Sequence, residues 1–190
     1  MTAHAIPAPA GPLPDPALLR RLRLLARVVR ILIVFGVVTL LGVNAWTWSS
    51  PEHALEMLRK VTSAPFQVST RTCVVGALFS LIPTTVILIA LHRLWGLFGE
   101  YAQGRVFSRA ALVNLRGFAR WLLVDTAVSP VYAALLSVVA SWENGPGHRE
   151  VALQLGSNDY VQLLFGVVVL AISTVMVEAA RVAEDNEGFV

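Results

Sequence analysis

Charge is what this sequence has least of. Only 14% of its 190 residues are Asp, Glu, Lys or Arg, against 56% hydrophobic, whereas soluble domains carry roughly 25% charged. The shortage is concentrated in three runs, 31–51, 72–91 and 160–177, that contain none of the four charged types, and a fourth, 121–142, has only Asp125. This distribution excludes an ordinary soluble domain.

Other absences narrow the function. Cys73 is the single cysteine, so there is neither an internal disulfide nor a cysteine metal cluster. The four histidines, at positions 4, 53, 92 and 148, show no ligand spacing. His53 and His148 fall in segments that could meet outside a membrane, but two ligands without a third make no metal centre. Nothing has the glycine spacing of a phosphate loop. Ser80, Thr84, Ser129 and Ser137 lie in apolar runs without an adjacent His or Lys base, and no carboxylate pair has a hydrolase spacing. An enzyme is not expected, nor is a cofactor or a metal.

The four apolar runs are each long enough to cross a hydrocarbon core about 30 Å thick, which takes roughly 20 residues as helix. The expected fold is an all-α membrane protein of four transmembrane helices, with spans at about 31–49, 72–93, 119–142 and 160–179. Residues 1–17, with Pro7, Pro9, Pro12, Pro14 and Pro16, read as a disordered Ala/Pro-rich tail, and 18–190 as one membrane domain. Before the first span, Arg20, Arg23, Arg27 and Arg30 fall on one arc of a helix and Leu18, Leu22, Leu25 and Val29 on the opposite one. This short amphipathic lead-in helix reads as an interfacial anchor, or alternatively as a sensor of anionic lipid or a docking surface. A cleaved signal peptide is disfavoured, because Trp46 and Trp48 stand where small residues belong.

Basic residues set the orientation. Eleven of the fifteen fall before span one, between spans two and three, or after span four, against Arg59, Lys60, Arg71 and Arg149 elsewhere. Positive charge marks the cytoplasmic side, so both termini are expected there. Because the basic residues gather at span ends, direct contact with nucleic acid is not expected; the expected surroundings are a lipid bilayer.

Outside the membrane, Ser50-Pro51-Glu52 supplies an N-cap, a first-turn proline and a first-turn acid, predicting a short surface helix over 52–61. Alternation over 66–70 and 151–155 predicts a small two-stranded extracytoplasmic sheet. On the cytoplasmic side, Gly104 is expected to end the second helix and Ser108 to cap the next, forming a helical hairpin.

Asp125 is the one ionisable residue well inside a span, and such residues are costly and tend to be functional or paired. It is expected to pair with Arg93, Arg120 or His92, or to hydrogen-bond across to another helix. Asp125, Ser129, Ala133, Ser137 and Ser141 recur every fourth residue, giving the third span a small, partly polar face suited to close helix packing. Pro83 and Pro130 interrupt spans two and three, which static bundles tolerate and transporters exploit.

The aromatic helix from Leu94 to Tyr101, followed by Gly104-Arg105-Val106-Phe107-Ser108, and the ending from Glu178 through Ala183-Glu184-Asp185-Asn186 to Val190 resemble a bacterial membrane family catalogued as domain of unknown function 2975. The resemblance runs over about residues 20–190. It implies a four-span inner-membrane protein, and because some members are encoded beside a small helix-turn-helix regulator, it implies a transcription factor as membrane partner. No catalytic residue carries over.

Two functions follow as expectations. One is a signalling or interaction protein acting through the hairpin, with Arg105, Phe107 and Ser108, and the acidic tail, with Glu184, Asp185 and Glu187, unless that tail binds Arg105, Arg109 and Arg116 of the same chain. The other is a small transporter or accessory subunit using Asp125 and the polar face of the third span. At this length it would need to form a homo-oligomer to enclose a path.

Overall fold

The computed structural model describes residues 16–59, 68–142, 151 and 156–187, with 183–187 described by backbone alone. It contains five helices: α1 (Pro16–Trp48), α2 (Pro51–Leu58), α3 (Thr70–Ala102), α4 (Arg109–Ser141) and α5 (Ser157–Glu187). All but α2 are long and apolar enough to cross a membrane. The chain is a multi-pass membrane protein, and residues such as Phe35, Val38 and Val175, each 65–69% exposed, turn apolar surface outward as lipid requires.

The lead-in helix and the first span are one element. Nothing between Leu18 and Ile31 breaks a helix, and Leu, Arg and Ala are strong helix formers, so α1 runs unbroken for 33 residues. Pro16 and Ala17 already belong to it, while residues 1–15 of the expected tail lie outside the described residues. Helices α3 and α4 likewise continue through Pro83 and Pro130.

Local capping explains the ends. Ser50 caps α2, accepting from the His53 amide at 3.4 Å, with Pro51 in the first turn. Ser69 and Thr72 form a reciprocal capping box: the Ser69 hydroxyl accepts from the Thr72 amide at 3.3 Å, and the Ser69 amide donates to the Thr72 hydroxyl at 3.4 Å. That box corrects the expected sheet. Thr70, placed at the end of a strand, is instead the first residue of α3, and no strand occurs among the described residues. Val151 is irregular, and the remainder of the two expected strands, 66–67 and 152–155, lies outside the described residues.

The long helices form an open row in the order α1, α3, α4, α5. Among the described residues α1 packs on α3, α3 on α4 and α4 on α5, while α1 and α5 do not meet. Helix α2 lies across the ends of the row opposite the α3–α4 turn, burying Leu58 against Leu136 and Ala140, with Trp48 and Tyr132 at the margin.

Along the row, α5 is displaced. Pairing the centres of the expected third and fourth spans would set Val169 beside Val131, yet Asp159 meets Ser129, Gln162 meets Asp125, and Gly166 faces Leu122 and Leu123. The shift is about a dozen residues, or roughly 18 Å at the helical rise. Polar satisfaction accounts for it. An unpaired carboxyl at membrane depth costs about 2.5 to 3.5 kcal/mol, and this register gives both aspartates partners.

Candidate functional site

At 33 residues each, α3 and α4 are about 50 Å long. Their ends away from the hairpin, Thr70 and Ser141, coincide with the ends of the apolar runs, so the excess over a 30 Å core lies at the hairpin. Even a 40° tilt lengthens the crossing only to about 39 Å. The turn between α3 and α4 therefore stands at least about 8 Å beyond the hydrocarbon.

That turn is built by two local devices. The α3 terminus is a Schellman motif: the Arg105 amide donates to the Glu100 carbonyl at 3.1 Å and the Gly104 amide to Tyr101 at 3.0 Å. Gly104 holds φ at 77°, a conformation costly for any residue with a β-carbon, and Leu19 of α1 packs against it. The second device is the Glu100 carboxylate, which accepts from Arg105 Nε at 2.8 Å, Arg105 Nη2 at 2.9 Å and Ser108 Oγ at 2.9 Å. Ser108 also accepts from the Ala111 amide at 3.1 Å, capping α4 as expected. These hydrogen bonds hold the Glu100 carboxyl below the usual carboxylate range.

The expected site residues thus divide. Arg105 and Ser108 are bound within the turn to Glu100, an acid that sequence reasoning passed over, although its spacing of five from Arg105 is visible in the chain. Phe107 is 62% exposed at the tip. Arg109 and Arg116 form no ion pair among the described residues, and the side chains of Glu184, Asp185 and Glu187 lie outside them, so the expected internal clamp does as well. Nearer the membrane on α5, Arg181 pairs with Glu178.

Asp125 is buried in the α4 and α5 interface. Its partner is Gln162, whose Nε2 donates to Oδ2, and not Arg93, Arg120 or His92. One turn along, Ser129 donates to Asp159 Oδ1 at 3.0 Å, while Asp159 Oδ2 accepts from the Gly156 amide at 2.8 Å. A matching tie joins the other pair of helices: Asn44 Nδ2 of α1 donates to Ser80 Oγ at 2.9 Å and Thr84 Oγ1 at 3.3 Å of α3. Asn44 and Gln162 were not picked out by the sequence reading, and the signal for both is a lone amide inside an apolar run. Ser137 and Ser141, also on the polar face of α4, are buried and donate back to their own helix, to Ala134 and Ser137 carbonyls at 2.8 Å. The arrangement resembles packing chemistry: Asn44, Asp125 and Asp159 fasten one helix to the next, while Ser137 and Ser141 are satisfied within α4.

Among the described residues no three His, Cys, Asp or Glu side chains gather as a metal site would require. His148, the expected neighbour of His53, lies outside them. His53 instead stacks on Trp46, with ring centres 3.9 Å apart.

No curated protein and no solved structure matches this chain. The family described as Protein of unknown function (DUF2975) matches residues 51–189, a stretch that begins at α2 and takes in the hairpin, both aspartate ties and the acidic ending. With well over half of its length matched, the chain belongs to the DUF2975 family.

Proposed function

We propose that this protein is an interaction protein of the bacterial cytoplasmic membrane, with both termini and the hairpin in the cytoplasm, where the turn docks a soluble partner. A helix-turn-helix transcriptional regulator is the favoured partner class, as the resemblance implies. The observation that carries the reading is the exposed Phe107, flanked by the exposed Arg105 and Arg109 on a turn pinned by Glu100. An aromatic held about 8 Å or more beyond the hydrocarbon stands past the headgroup layer in which aromatic anchors settle, whereas aromatic residues beside arginine are the usual centre of protein interfaces. The distribution of eleven basic residues against four supports the cytoplasmic assignment. The acidic end of α5, with Glu184, Asp185 and Glu187, is the second element of the docking face.

Co-purification of the regulator from membranes tests this. Recovery is expected with the wild-type chain and is expected to fall with Phe107→Ser and with a chain ending at Ala179. Equal recovery from all three would sink the proposal.

The transport reading draws on the burial of Asp125. It asks for an enclosed path, and a row in which α1 and α5 stand apart encloses none within one copy, so it requires a homo-oligomer. Substrate flux that falls with Asp125→Asn would favour it over docking.

A further inference from the structure

Arg30 is the last charged residue before the first apolar run. The guanidinium crosses α3 over Gly99, where a β-carbon would stand 2.6 Å from Nη2. It lies 4.6 Å from the centre of the Trp95 ring and donates from Nη2 to the Trp95 carbonyl at 3.4 Å. Its Nε is buried with no hydrogen-bond partner, and Arg30 takes part in neither of the two ion pairs among the described residues. An arginine stays charged at any physiological pH. The buried Nε is out of reach of a ligand, and the exposed Nη2 is the donor on which an anionic acceptor can sit.

Arg23 and Arg27 stand beside it, and together the three arginines rim a groove of about 700 Å3 between α1 and α3 that no acid lines. Its floor is apolar and includes Val34, Phe35 and Val38. Phe35 and Val38 are 69% and 65% exposed, so the groove opens sideways into the bilayer. From Arg27 to Val38 it extends about 16 Å along α1, from headgroup depth into hydrocarbon.

We propose that this groove is a binding site for one anionic phospholipid of the hairpin-side leaflet, with its phosphate on Arg27 and Arg30 and an acyl chain along the floor. Arginine matches phosphate oxygens in pairs, and basic pockets between transmembrane helices select acidic headgroups. Free phosphate would use the rim and leave the floor open to lipid. A zwitterionic headgroup would bring a cation of its own against three others.

Native mass spectrometry of the full-length protein, delipidated in detergent and offered phosphatidylglycerol or phosphatidylcholine, tests the assignment. Phosphatidylglycerol is expected to bind preferentially, and Arg27→Gln with Arg30→Gln to weaken it by about thirtyfold, while Arg181→Gln leaves it unchanged. Equal binding of the two lipids, or an unaffected double variant, would overturn the site. A wild-type measurement guards against misfolding of the variant: phosphatidylglycerol carrying a photoreactive acyl chain should label the α1 peptide containing Phe35 and Val38. Labelling spread evenly over the four long helices, or equal labelling by phosphatidylcholine with the same acyl chain, would contradict the proposal.

Discussion

At the turn between α3 and α4 one carboxylate serves three donors, and the shape of the tip depends on its charge. Glu100→Gln keeps the size of the side chain but removes the ion pair and the acceptor shared by Arg105 and Ser108. A spin label at the exposed Ala110 should become more mobile in that variant, with overall helicity unchanged. The pH dependence has a definite sign. The folded-state pKa is depressed by the Arg105 and Ser108 hydrogen bonds, so the stabilisation is full at and above the ordinary carboxylate range and is lost as pH falls through the lowered value. Label mobility should therefore be flat from neutral pH down to about the unperturbed glutamate pKa near 4.3 and rise below it. In Glu100→Gln the rise should be missing. Gly104 sets a second condition, since φ of 77° and the neighbouring Leu19 leave no room for a β-carbon. Gly104→Ala is expected to cost about 1 to 2 kcal/mol, read as a lower thermal midpoint.

The register of α5 is the most consequential property among the elements. Cysteines replacing Ser129 and Asp159 in a chain with Cys73→Ser should form a disulfide, and cysteines replacing Val131 and Val169 should not; the reverse would restore the simple pairing of spans. A double-mutant cycle on Asp125→Ala and Gln162→Ala should give a coupling of about 0.6 to 1.7 kcal/mol, the range for hydrogen bonds between membrane helices. These features also show what the sequence can and cannot disclose. Helix ends are legible because capping is local: Ser50 with Pro51, and Gly104 with Ser108, need only neighbours in the chain. The membrane runs are legible because lipid tolerates no other composition. Asp125 stands out by its charge, but its partner does not, because Gln162 lies 37 positions away and the register that joins them is a tertiary outcome. At Thr70 the expected strand end gives way to helix, because the Ser69 and Thr72 capping box starts α3 there.

Taken whole, the molecule is a row of helices fastened by polar ties within the spans and extended on one side into a hairpin. The absence of contact between α1 and α5 leaves both faces of the row open to lipid or to other chains, and the turn is the part that stands clear of the hydrocarbon. Impermeant thiol reagents applied to intact cells should leave a cysteine at Ala110 unlabelled and label one at Glu52, as the basic-residue distribution predicts. The central claim, that function lies at the hairpin tip, is tested most directly by a photoreactive phenylalanine analogue at position 107 in living cells. A single cytoplasmic protein is the predicted adduct, lost when Glu100→Gln loosens the turn. Adducts only with lipid or with the chain itself would contradict the account.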